Sequence, residues 1–190
     1  MFNVMTPAQR PLRRAILLFG VALGSAAPHL AAALPDVGES PANARVEDVD
    51  GKALWLSELK GRVAIVVYED KDSAELNKAL KDDLAKLLKD DTVKGAVVVA
   101  PVADVSDYNS WPQKGFAKDA IRAESKKSKT TIWCDWDGAF RKALDLKKGT
   151  SSVLVIDREG TLRFAGEGAL SQSERASFEK VVRQLSPKKK

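Results

Sequence analysis

The run Val63-Ala64-Ile65-Val66-Val67-Tyr68 restricts most severely what this chain can fold into. Six consecutive apolar residues, most of them β-branched, suit a strand covered on both faces, inside a sheet. Gly61 turns the chain into this run, and the charged corner Glu69-Asp70-Lys71-Asp72 follows it. Leu76, Leu80, Leu84, Leu87 and Leu88 then recur at helical spacing, with Lys and Asp between them. Asp72 stands three residues before Glu75, the spacing of an N-cap and its reaching-back glutamate. The pattern therefore predicts a helix from Ser73 to about Asp90. A buried strand entering a helix through a polar corner is where open α/β sheets place ligands and chemistry.

The remaining segments extend the same architecture. Arg45 to Asp50 alternates, Asp50-Gly51 signals a turn, and Ala53-Leu54-Trp55-Leu56 reads as the return strand of an N-terminal hairpin. Ala96 to Ala100 is a second buried strand, followed by a loop from Pro101 to Gln113. A helix from Gly115 to about Lys127 is expected to bury Phe116, Ala120 and Ile121. Thr130 to Cys134 reads as an edge strand. Val153 to Ile156 is a further buried strand that turns back through Thr161 to Phe164. Ser171-x-x-Glu174 is a capping box before a last helix with the stripe Phe178, Val181, Val182 and Leu185. Parallel strands first and a hairpin later imply an α/β fold, a mixed sheet with helices on both faces.

Composition narrows the function classes once residues 1–33 are set apart. Arg10, Arg13 and Arg14 precede an apolar run from Ala15 to Ala27, and the segment ends in Ala31-Ala32-Ala33 without one acidic residue. That order is the order of a secretory signal peptide, and the apolar part is short for a permanent membrane span. Cleavage is expected near Ala33, leaving one domain over 34–190, exported to the periplasm or secreted, by the general or the twin-arginine route. The mature chain then holds 28 basic against 26 acidic residues, a net charge of +2. A balance so near neutral does not argue for a nucleic-acid partner. The single histidine, His29, leaves with the leader, which removes Ser-His and Cys-His catalysis and any histidine metal site. Cys134 is the one cysteine, so neither an internal disulfide nor a CxxC couple can form. Neither a cofactor nor a metal is expected.

The stretch Val49-Asp50-Gly51-Lys52-Ala53-Leu54-Trp55-Leu56-Ser57-Glu58-Leu59-Lys60-Gly61, running directly into Arg62 to Tyr68, resembles the thioredoxin-like superfamily, specifically its exported thioredoxin-like and peroxiredoxin-like members. Val155 to Leu162 matches their late strand and hairpin. Gly168-Ala169-Leu170-Ser171 and Ser151-Ser152 also resemble the YtfJ family, exported thioredoxin-like proteins of unsettled function. The resemblance implies a thioredoxin-like fold over 35–186. It also implies a redox site at Asp72 to Glu75 and a cis-proline at Ser151, and this chain carries neither the thiols nor the proline.

Two readings of the corner stay open. Glu69, Asp70, Lys71, Asp72, Ser73 and Glu75, with Ser151 opposite, are either solvated charges around a helix cap or a binding edge for a protein or peptide of the cell envelope or a small ligand, an anion on Lys71 and the helix start or a hard cation on the carboxylates. Cys134 is either a buried small apolar residue or an exposed thiol for a mixed disulfide with a partner. The first pairing gives a non-catalytic binding module, the second a residual thiol oxidoreductase. Asp135-Trp136-Asp137-Gly138 lacks the closing glutamate of a calcium loop and reads as a turn. Tyr108 and Trp111 either form a recognition surface or pack back on the core.

Overall fold

A computed structural model describes residues 34–186. The expected leader and cleavage point, and the terminal lysines, lie outside the described residues. Seven strands form one sheet: β1 (Arg45–Glu47), β2 (Ala53–Trp55), β3 (Val63–Glu69), β4 (Val97–Asp104), β5 (Trp133–Asp135), β6 (Ser152–Ile156) and β7 (Leu162–Glu167). Their order is β2-β1-β5-β4-β3-β6-β7. β3, β4 and β5 run parallel, while β1, β6 and β7 pair antiparallel with their neighbours. The helices are α1 (Lys78–Leu87), α2 (Asp91–Lys94), α3 (Gln113–Ser128), α4 (Ala139–Ala143) and α5 (Gln172–Leu185).

The period-2 alternation of β3 serves two cores at once. Val63, Ile65 and Val67 face one side, where Leu80 and Leu84 of α1 and Phe178 and Val182 of α5 close over them. Ala64, Val66 and Tyr68 face the other, against Phe140 and Leu144. Tyr68 stacks on Phe140 with ring centroids 5.8 Å apart, and Phe178 meets Phe164 edge-on at 5.7 Å. An uninterrupted apolar run is what such a strand requires.

Local chemistry sets the turns as expected. Asp48 Oδ1 accepts from the amides of Asp50 and Lys52, each at 2.9 Å, and Gly51 takes φ +90°, which places the first hairpin. At α5, Ser171 and Glu174 cap one another reciprocally. The lead-in folds back on the sheet: the Gly38 amide donates to the Leu162 carbonyl and the Leu162 amide to the Glu39 carbonyl, both at 2.8 Å.

Four expectations are corrected. The helix after the corner begins at Lys78, not Ser73, and Leu76 lies outside it, exposed. β4 continues through Pro101 to Asp104, consuming the start of the expected loop. β5 joins only at Val102, so β4 is paired on one side as far as Pro101, where a missing donor is tolerated. β5 itself is interior, because β1 covers it through the Glu47–Cys134 pair. Finally, α3 buries none of its residues: Phe116 and Ala120 are exposed and Ile121 is only half-buried.

Candidate functional site at the carboxyl edge of the sheet

The corner sits where β3 ends, beside the carboxyl end of β4 and the start of β6. Glu69, the last residue of β3, has both carboxylate oxygens occupied. Oε1 accepts from Ser151 Oγ at 2.9 Å, and Oε2 lies 2.6 Å from Lys81 Nζ. Ser151 Oγ in turn accepts from Asn77 Nδ2 at 2.8 Å. The Asn77 amide also donates to the Gly168 carbonyl at 2.7 Å and accepts from the Leu170 amide at 2.9 Å. One buried polar chain therefore ties β3, the approach to α1, the start of β6 and the loop before α5.

That chain explains the late start of α1. Asn77 occupies the N-cap position, but its side chain makes no cap bond because both of its ends are engaged elsewhere. Asp72 is not a cap. Asp70 and Ser73 instead close the corner reciprocally, with the Ser73 amide donating to Asp70 Oδ1 at 2.7 Å and the Asp70 amide to Ser73 Oγ at 3.0 Å. Ser73 is buried, whereas Lys71, Asp72 and Glu75 project to solvent. The candidate residues thus divide: Glu69, Asp70, Ser73 and Ser151 build the scaffold, and Lys71, Asp72 and Glu75 form its outer rim. Asn77, which sequence reasoning missed, joins the two halves.

A second polar cluster lies under the same edge on the α4 face. Asp135 accepts from Tyr68 Oη at 2.9 Å and from the amides of Phe140 and Arg141. Arg141 Nε donates to Asp104 Oδ2 at 3.2 Å, and Ser106 donates twice to Asp104 Oδ1. Burial would raise Asp104, but its hydrogen bonds from Ser106, the neighbouring Tyr68 hydroxyl dipole and the Arg141 charge outweigh that and hold its pKa low. Burial also raises Asp135, and here it wins over the donors, with the Asp104 charge adding to it. Tyr68 is raised as well, first by burial and then by these two carboxylates. Asp137 Oδ1 accepts the Ala139 amide, and Gly138 is left-handed, so the 135–138 segment is a turn that starts α4.

Cys134 lies apart from both clusters, buried among Val49, Val105 and Trp136. Burial pushes its thiol up to about 12, and Asp48 adds to the shift. The thiolate is the nucleophilic form, and burial disfavours it here. A disulfide-based thiol probe should leave the folded protein unmodified and label Cys134 fully in denaturant; rapid native labelling would contradict this burial. Tyr108 and Trp111 are exposed, Trp111 at 92 %, and neither packs back on the core. Among the described residues, no three His, Cys, Asp or Glu side chains converge as metal ligands. No helix among them is long and apolar enough to cross a membrane.

The family model described as "Bacterial protein of unknown function (YtfJ_HI0045)" matches residues 42–186. The chain belongs to the YtfJ family. The match takes in both hairpins, the corner and the capping box. No curated protein matches the chain. Among solved structures, this YtfJ-family chain is similar to a Chlorobium tepidum protein assigned as a thiol:disulfide interchange protein of DsbE type. The two share 14 % identity at a TM-score of 0.59, over 80 % of this chain and 98 % of that one. It is also similar to the exposed lipoprotein thioredoxin of Streptococcus pneumoniae (19 % identity, TM-score 0.52, 76 % and 100 % covered). A secreted Mycobacterium tuberculosis disulfide oxidoreductase is a third likeness (14 % identity, TM-score 0.51, 75 % and 96 % covered). The fold is thioredoxin-like, and the one cysteine leaves no pair to form a disulfide.

Proposed function

We propose that this YtfJ-family domain is a non-catalytic binding module of the cell envelope that engages a protein or peptide at the Glu69–Glu75 corner. The observation that carries this reading is the hydrogen-bonded chain Lys81–Glu69–Ser151–Asn77, which occupies the thioredoxin-fold edge without a thiol and ties its segments together. Lys71, Asp72 and Glu75 are presented outward from that frame as the contact rim. Export rests on the leader-like order of residues 1–33, and the secreted and surface-exposed proteins that share the fold support it. A thiol mechanism through Cys134 gains no support from a sulfur buried in the sheet.

The test is capture from an envelope extract by the immobilised full chain, compared with the Lys71→Ala/Asp72→Ala variant. Both side chains are exposed and make no hydrogen bond that holds the corner, so the variant should unfold at the same urea concentration. A partner retained by wild type and lost by the variant is the expected result. Identical capture profiles would refute the corner as the binding edge.

A further inference from the structure

We infer that Asp104 and Asp135 hold one proton between them and that this proton seats α4 on the sheet, a clasp that is tightest in mild acid and slackens toward neutral pH. The clasp lies on the α4 face and is independent of what the corner binds.

Strand register brings the two carboxylates together. Asp104 ends β4, Asp135 ends β5, and the two are paired across the parallel ladder. Paired residues of neighbouring strands point to the same face, from backbones about 4.8 Å apart. Both residues are buried, Asp104 at 6 % and Asp135 at 2 % exposure. Like charges side by side on a sheet repel, and burial removes the water that would weaken the repulsion.

The cations do not balance the anions. One guanidinium enters the cluster, that of Arg141, and its Nε lies on Asp104. The partners of Asp135 are neutral: Tyr68 Oη and the amides of Phe140 and Arg141. Nothing charged answers it from the other elements. β6 adds the Ser152 hydroxyl beside Tyr68. β1 turns Val46 to this core, while its Arg45 and Glu47 pair with each other. Asp107 is paired with Lys148, and Asp137 and Lys142 are exposed. With both carboxylates ionised, the cluster therefore buries one uncompensated negative charge. A single proton neutralises it, and the member without a cation is Asp135. The opposite pKa shifts of the two groups, Asp135 upward and Asp104 downward, agree with that assignment.

α4 is the element on which the proton acts. It has five residues, too few to persist without support. Its first turn hangs on Asp135 through the Phe140 and Arg141 amides, and the Arg141 side chain ties it to Asp104. Lifting α4 hydrates both carboxylates and returns their ordinary acidity. Seating raises the pKa of Asp135, so its contribution is complete below the ordinary aspartate value of about 3.9 and is lost as pH rises through the seated value. Asp104 has the opposite sign: its contribution is complete above about 3.9 and is lost as pH falls through its lowered value. The two windows overlap at about pH 4, where the pair holds one proton.

The experiment uses the full chain. Hydrogen exchange of the Phe140 and Arg141 amides, divided by the intrinsic rate at each pH, reads the seating of α4, and the amide of Val66 in β3 reads unfolding of the whole domain. Phe140 and Arg141 should be less protected than Val66, because they open locally. Their protection should fall as pH rises from about 4.5 to about 7.5, roughly tenfold for each unit that seating adds to the Asp135 pKa. Asp135→Asn keeps the shape and an acceptor without the charge, and it should abolish this pH response. The carboxyl ¹³C shift of Asp135 gives a second readout should that variant fail to fold. Its midpoint should lie above about 3.9 in wild type and drop in Asp104→Asn, which removes the like charge and frees Arg141. Protection of Phe140 and Arg141 equal to that of Val66, or independent of pH in wild type, would overturn the clasp. So would an unchanged pH response in Asp135→Asn, or an Asp135 midpoint that Asp104→Asn does not move.

Discussion

Replacing Asn77 with alanine is expected to lower the unfolding free energy by about 3 kcal/mol, read as a shifted urea midpoint at unchanged slope. Asn77 is buried and supplies three hydrogen bonds, to Ser151 Oγ, the Gly168 carbonyl and the Leu170 amide. Truncation leaves the Gly168 carbonyl and the Leu170 amide without that partner, in a space one methyl group cannot fill. Leaving each buried group unpaired costs about 1–3 kcal/mol, with partial relief from water entering the loop. Asn77→Asp tests the same contacts differently. It keeps the acceptor toward Leu170 but presents acceptors, not donors, to Ser151 and Gly168, and it places a second carboxylate near Glu69. Its cost should equal or exceed that of alanine. A loss under 1 kcal/mol for both would mean that the corner does not depend on this chain of bonds.

Asp104→Ala should cost about 3 kcal/mol at pH 7, because breaking a buried ion pair strands its partner charge. Arg141 is largely buried beside Asp104, and Ser106 loses its acceptor as well. The pH dependence gives the prediction its sign. Asp104 has a folded pKa below its unfolded value, so its contribution is complete above an unfolded pKa of about 3.9 and fades as pH falls through the folded value. Asp135 is shifted the other way; ionising it inside the fold costs stability as pH rises through its raised value. Asp104→Asn should therefore be destabilised at neutral pH and converge with wild type as pH drops below about 4. A constant gap between the two proteins from pH 7 to pH 3 would remove Asp104 from the acid response.

What could be read from the sequence divides along the range of the interactions. β3 announces itself because a strand shared by two cores has no polar position, and Val63 to Tyr68 has none. The hairpin at Gly51 and the capping box at Ser171 and Glu174 are local chemistry, settled within a few residues. The start of α1 is not local. Asp72 and Glu75 have the spacing of a cap, but Asn77 is committed to groups 74 to 93 residues away, which no window around the corner can reveal. Ser151 is the same case from the other side: its sequence position suggests only a missing proline, and its bonds to Glu69 and Asn77 appear once the strands are paired. For α3 the periodicity marks an apolar stripe correctly, yet periodicity cannot say whether the fold supplies a surface to cover it. Cys134 was placed on an edge because the brevity of β1 conceals the pairing that encloses it.

The bonds from Gly38 and Glu39 to Leu162 have a consequence for colloidal behaviour. β7 is the last strand of the sheet, and a bare terminal strand is a template on which other chains polymerise. The lead-in occupies that template at the start of β7. Arg163 and Glu167 add charge along the remainder. The few residues before β1 thus act as a guard against fibre growth, a role independent of whatever the opposite edge of the domain binds.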